Sequence, residues 1–257
     1  MKPMLFNADM VKAILAGKKT VTRRVIKNVP ENVYPGHCVM GAGLFDNETH
    51  QRVVAAPYKP GDVLYVRETW CDPSGTGWPI CYKADLPIHY DAEETEHGEA
   101  VDLRVEDFKW RPSIHMPEWA ARIFLRVTAV RAERLQSITP EQAIREGISR
   151  MFDHLPDDEY IQWAARVAPG KKKTDWGWDN YLWHGDFGSY GMGNKLSDAW
   201  PYQYSGYDEP VGSFSSLWNR TLPLKEWPAY GWEANPWVWV IEFERCASPW
   251  AEKEAEN

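Results

Sequence analysis

Gly17-Lys18-Lys19-Thr20-Val21-Thr22-Arg23-Arg24 gathers amines, hydroxyls and guanidinium groups into one short run. From Met1 to Lys27, seven Lys or Arg stand against one Asp, in a chain whose formal net charge is −8. A concentrated positive site on an acidic body can hold an anionic ligand locally without coating the protein in nucleic acid. The same run also suits a solvated helix end, where cations favour the negative pole of the dipole. Two other residues can carry proton chemistry. Glu68 ends an apolar run on the parity that faces inward, where a carboxylate is costly unless paired or functional. Its plain reading is an ion pair with one of the N-terminal cations, which places it beside the same basic turn. His115 lies in a Pro-bounded loop and is more often structural than catalytic in such a setting.

These side chains need elements to position them. Asn7 reads as the N-cap of a helix over residues 8–16 that Gly17 stops, with Met10, Val11, Ile14 and Leu15 at helical spacing. The basic run therefore begins where the chain must turn, and Lys19 and Thr22 project from the turn and the segment entered next. Lys59-Pro60-Gly61-Asp62 is a turn signal before a strand over 63–70. Further strands are expected over 80–84, 121–131 and 237–244. Thr139-Pro140-Glu141-Gln142 combines an N-cap, a first-turn proline and a capping-box glutamine, and so starts a short helix. Residues 213–222 read as another.

With few helices and no regular alternation of strand and helix, the order favours an α+β fold on a small, mostly antiparallel barrel. We expect a single domain over 1–248. It is interrupted by an acidic loop at about 85–109 and an aromatic, Gly-rich insertion at 149–212, and is followed by a polar tail over 249–257. The 15 Trp and 12 Tyr exceed what a core of this size needs. They suit loops glued onto a barrel or bases stacked on rings.

Composition excludes several classes. No apolar run approaches the roughly 18 residues of a membrane span. The N-terminus lacks the pattern of a signal peptide. The four cysteines at 38, 71, 81 and 246 form no CxxC pair, which suits reduced thiols in the cytoplasm and neither a disulfide framework nor a zinc knuckle. No metal and no cofactor is expected.

Gly17-x-Lys19-x-x-Thr22-x-Arg24, the Gly61-Asp62 turn, the strand into Glu68 and the closing apolar strand together resemble the ASCH domain family. The resemblance covers roughly residues 4–27, 58–84, 110–148 and 213–245. It implies a PUA-like β-barrel with a cleft beside it, directed at RNA or modified nucleosides. Arg111-Pro112-Ser113-Ile114-His115-Met116-Pro117 resembles the long members carried by phages and prophages. One branch of the family is similar to amidohydrolases that deacetylate N4-acetylcytidine. Carried over, its roles make Lys19 the general base, Thr22 the nucleophile and Glu68 the acid or proton shuttle, with Arg24 on an oxyanion or the turn. Arg23, Arg24, Trp70, Arg111, Ser113 and His115 become substrate or nucleic-acid contacts.

The chemistry sets its own conditions. A threonine hydroxyl attacks only when a base takes its proton. Making half of a lysine neutral at pH 7 takes about 4.6 kcal/mol of differential destabilisation of the cation. Burial and the like charges of Lys18, Arg23 and Arg24 push that way, and an ionised Glu68 nearby pushes back. Two alternatives use the same residues. One is a non-catalytic RNA- or DNA-binding module. The other is an RNA-cleaving enzyme in which Lys19 and Arg24 stabilise a phosphorane and His115 shuttles the proton. A net charge of −8 suits a modified nucleoside or a short single strand better than a long phosphate backbone.

Overall fold

The computed structural model describes residues 1–38, 41–73, 79–85, 109–150, 153, 157–167, 169–175, 177–178 and 207–250. Nearly all of the expected acidic loop, much of the expected insertion and most of the polar tail lie outside these residues.

The architecture is α+β with mixed sheets and few helices. Its strands are β1 (Lys2–Leu5), β2 (Val21–Val25), β3 (Val33–Cys38), β4 (Gly41–Asp46), β5 (Arg52–Ala55), β6 (Val63–Arg67), β7 (Trp70–Cys71), β8 (Cys81–Tyr82), β9 (Phe124–Arg134) and β10 (Trp237–Cys246). Helix α1 (Ala8–Leu15) follows β1, and α2 (Pro140–Arg145) follows β9. Helices α3 (Asp157–Val167) and α4 (Pro210–Arg220) precede β10. The largest sheet has the order β1-β6-β9-β10-β2, and no further pairing closes it among the described residues. A three-stranded sheet β3-β4-β5 and the pair β7-β8 complete the strand set.

The chain divides into two compact units, each assembled from separated stretches. The first takes Met1–Gly17, Pro60–Thr128 and Phe243–Asn257; the second takes Lys18–Lys59 and Ala129–Glu242. In the first, β1 pairs parallel with β6, and β6 pairs antiparallel with β9. Helix α1 forms as its signals require. The Asn7 side chain accepts from the Met10 amide at 2.8 Å, Val11 and Ile14 are buried, and Gly17 ends the helix at φ +71°.

In the second unit, β2 runs antiparallel to β10 with Thr22 opposite Ile241. The core beneath them includes Val21, Leu135, Phe214, Trp218, Val238 and Val240. Helix α2 opens on a full capping box, Thr139 accepting from the Gln142 amide while the Gln142 side chain accepts from the Thr139 amide. Replacing Thr139 with alanine removes that acceptor and is expected to cost about 1 kcal/mol, read as a lower urea midpoint.

The sequence pattern left the region after residue 149 irregular, yet α3 stands within it. Trp178 and Tyr207 there exchange backbone hydrogen bonds at 2.7 and 2.9 Å, which ties two distant points of the expected insertion together. Among the described residues no helix is long and apolar enough to cross a membrane.

Candidate functional site

In the second unit the basic run enters β2 beside the end of α2. The Thr20 amide donates to the Arg145 carbonyl at 2.9 Å, and Lys19 bridges to Glu146. This pairing carries the Lys19 amine to the helix C-terminus. There Nζ donates to Glu146 Oε2 at 2.7 Å and to the Glu146 carbonyl at 2.8 Å. The other carboxylate oxygen accepts from Arg23 Nη1 at 3.1 Å. Arg23 Nη2 donates to Gln142 Oε1 at 2.6 Å and lies 3.6 Å from Glu133. Gln142 therefore serves both the helix cap and the buried guanidinium.

All three partners are nearly sealed from solvent: Lys19 is 2 %, Arg23 4 % and Glu146 4 % exposed. Burial is the largest influence on Lys19 and holds its pKa below the ordinary lysine value. Glu146 opposes the shift through its charge and hydrogen bond, while Arg24 and Arg23 reinforce it. Burial likewise lowers Arg24, against Glu146 and Tyr58. Glu146 thus pairs with both Lys19 and Arg23, and the less buried Glu133 lies 3.6 Å from Arg23. Thr22 is 3 % exposed, and among the described residues nothing hydrogen-bonds its hydroxyl. Lys19 and Thr22 thus belong to one unit without being joined by a hydrogen bond.

Glu68 belongs to the first unit. Its inward parity holds: it is 1 % exposed, and its amide meets Met116 Sδ at 3.3 Å. The partner differs from the N-terminal cation expected. Arg122 grips the carboxylate with two bonds, Nε to Oε1 at 2.9 Å and Nη2 to Oε2 at 3.1 Å. The same guanidinium holds Asp85 at 2.7 and 2.9 Å and lies 3.9 Å over the Tyr82 ring. Burial raises the Glu68 pKa despite Arg122, and Asp85 adds to the rise.

The sign of the linkage follows. A carboxyl raised in the folded state contributes stability below its unfolded pKa and loses it as pH rises through the folded one. Glu68→Gln cannot lose that contribution. Between about pH 4 and about pH 7 its urea midpoint should therefore gain on the wild type, whatever the offset from Arg122 losing a charged partner. An offset constant across that range would remove the raised Glu68 pKa.

The remaining predicted contacts fall nearby in the first unit. Trp70 and Arg111 exchange backbone hydrogen bonds at 3.2 and 2.8 Å, and the Arg111 guanidinium lies 5.0 Å from the Trp70 ring centre. Trp70 is only 1 % exposed. The indole offered to solvent is Trp119, 62 % exposed and packed edge-on against Trp70 at 5.8 Å. Ser113 and His115 form a single 3-10 turn over the buried Met116, and His115 is exposed.

Sequence reasoning missed Glu146, Arg122 and Trp119. Glu146 carried a signal, since an acid beside Gly147 at a helix C-terminus opposes the dipole and calls for a cation. Trp119, an aromatic outside any periodic run between Pro117 and Ala120, carried a weaker one. Arg122 carried none beyond its outward parity. Among the described residues no group of three or more His, Cys, Asp or Glu is arranged to hold a metal ion.

No protein-family model, curated protein or solved structure matches the chain. The fold and the two side-chain groups define an α+β protein with a buried Lys–Glu–Arg set in one unit and a buried Glu–Arg–Asp set in the other.

Proposed function

We propose that this chain is an ASCH-type protein with a PUA-like core, directed at nucleic acid or modified nucleosides, and that it hydrolyses an acyl group from a nucleobase such as N4-acetylcytidine. The observation that carries this reading is Lys19, sealed from solvent and driven by burial towards its neutral form three residues before a threonine hydroxyl that no described residue engages.

A neutral Lys19 would take the Thr22 proton as Oγ1 attacks the acyl carbonyl, forming a C–O bond and a tetrahedral oxyanion. Collapse breaks the C–N bond, and the departing nucleobase amine takes a proton. The Lys19 ammonium supplies it, returning the proton it took from Thr22. Water then attacks the acyl-threonine, releasing the carboxylic acid and restoring the hydroxyl. Arg24, partly buried and two residues after Thr22 in sequence, is the cation assigned to the oxyanion in this reading. Incubation with N4-acetylcytidine and chromatography of the products tests the reaction: cytidine and acetate in equal amounts support it. An unchanged substrate, across a panel of acylated nucleosides, removes it.

A second reading rests on a different observation. Glu146 holds the Lys19 amine at 2.7 Å and Arg23 at 3.1 Å, a geometry that also suits a permanent ion set. The module would then bind without reacting, using the exposed Arg111, His115 and Trp119 on a short single strand. Binding of labelled single-stranded RNA that weakens with salt supports this; no binding at low salt removes it.

A further inference from the structure

A groove of about 470 Å³ opens in the second unit, within the size range of small-ligand pockets. Neither Lys19 nor Thr22 lines it. Arg134, at the end of β9, and Trp237, at the start of β10, share it with Asn32 and Asn47. The Arg134 guanidinium centre lies 4.5 Å from the Trp237 ring centroid. Its Nη1 donates to the Asn235 carbonyl at 3.2 Å, and no carboxylate pairs with it among the described residues. A guanidinium seated on an indole is a flat cationic platform of the kind on which bases stack.

The two amides supply an edge. Asn47 Nδ2 donates to Asn32 Oδ1 at 2.8 Å, which fixes both side chains. Asn32 Nδ2 and Asn47 Oδ1 are left with no partner among the described residues, one as donor and one as acceptor. Side-by-side donor and acceptor groups are what the polar edge of a nucleobase answers. Asn32 reaches this place through a left-handed backbone at φ +59°, a conformation asparagine tolerates well. Val29, Pro30 and Val33 add apolar lining. The carboxylate of Glu31 shares the groove with the single guanidinium, so the lining is neutral overall and poorly suited to a phosphate group.

We propose that this groove binds a nucleobase, its ring stacked on the Arg134–Trp237 pair and its polar edge read by Asn32 and Asn47. The base can come from a free nucleoside or from an unpaired position in a single strand. The site stands apart from the Lys19 chemistry and does not depend on it.

Photo-crosslinking tests it on the full chain. The probes are free 4-thiouridine and a short single-stranded RNA carrying one 4-thiouridine, with adducts located by peptide mass spectrometry. Adducts should fall on residues 29–47, Arg134 or Trp237. Arg134→Gln should cut their yield about tenfold, the scale of one lost stacking contact. Asn47→Ala, which leaves the platform in place, should also cut it, and thermal melting shows whether each variant is folded. Adducts with both probes identify the base alone as the ligand; adducts only with the strand identify an unpaired base in RNA. Adducts elsewhere, no adducts with either probe, or equal yields from both folded variants and the wild type overturn the proposal. The same crosslinking on Lys19→Met separates the two claims, because groove adducts should persist there whether or not hydrolysis is lost.

Discussion

Replacing Glu146 with alanine should destabilise the protein by about 3–5 kcal/mol, the cost of stripping a partner from a buried ion pair. Two cations depend on this one carboxylate: Lys19 at 2.7 Å and Arg23 at 3.1 Å, with Lys19 1 % and Arg23 0 % exposed at the side chain. Removing it strands both charges in a medium that solvates them poorly. Arg23 keeps Gln142 and a longer approach to Glu133, so Lys19 bears most of the loss. Lysine can escape by releasing its proton, which sets the pH signature. Its lowered folded pKa means that the charged form costs stability at neutral pH, and the cost is relieved as pH rises towards the unfolded value. The deficit of Glu146→Ala should therefore shrink towards alkaline pH. Urea titrations at several pH values measure it, and a loss under about 1 kcal/mol throughout would mean that the carboxylate is not what holds these cations.

Lys19→Met should cripple hydrolysis while leaving the fold in place. Methionine keeps much of the buried length, and Glu146 retains Arg23 as its counterion. The substitution removes one of the two cations that share Glu146, whereas Glu146→Ala strands both, so its effect on stability should be the smaller. A positioned general base contributes about 10²–10⁴-fold, and kcat/KM for N4-acetylcytidine should fall by that factor. The wild-type rate should rise with pH through the lowered Lys19 pKa, since only the neutral amine accepts a proton. Turnover by the folded variant near the wild-type rate, with an unchanged pH profile, would falsify the base assignment and leave the binding reading.

Local signals were legible where the chain writes its own punctuation. Asn7 and Gly17 bound α1, and the Thr139–Gln142 capping box opens α2, as their types predict. The strands β6, β9 and β10 follow their apolar patterns. Strands β3 to β5 were illegible for a physical reason. Pro35 and Gly36 interrupt β3, and Gly43 faces Gly36 across the pair, so close approach of neighbouring chains replaces alternating bulk. A methyl on Gly36 would meet Phe45 at 2.9 Å.

The site was legible in its residue types and not in its partnerships. Burial of Glu68 followed from its inward parity at the end of an apolar run, whereas Lys19 and Thr22 stand in a basic run that reads equally as a solvated helix end. Their counterions did not, because Glu146 lies 127 positions from Lys19 and Arg122 lies 54 from Glu68. Only tertiary folding chooses among the many charged residues at such separations. The groove between Arg134 and Trp237 was hidden for the same reason.

The discontinuous make-up of the two units constrains how the polypeptide is born. Arg245 donates to the Leu15 carbonyl across 230 positions, and Phe6 meets Phe243 at 6.1 Å. The leading segment therefore leaves the ribosome long before the β10 residues it meets are synthesised, and non-local closure of this kind is slow. Its apolar face must wait, shielded by chaperones or by transient burial, until β10 has been translated. Stalling a nascent chain just short of residue 237 should then yield a protease-sensitive product, although every segment before β10 has been made.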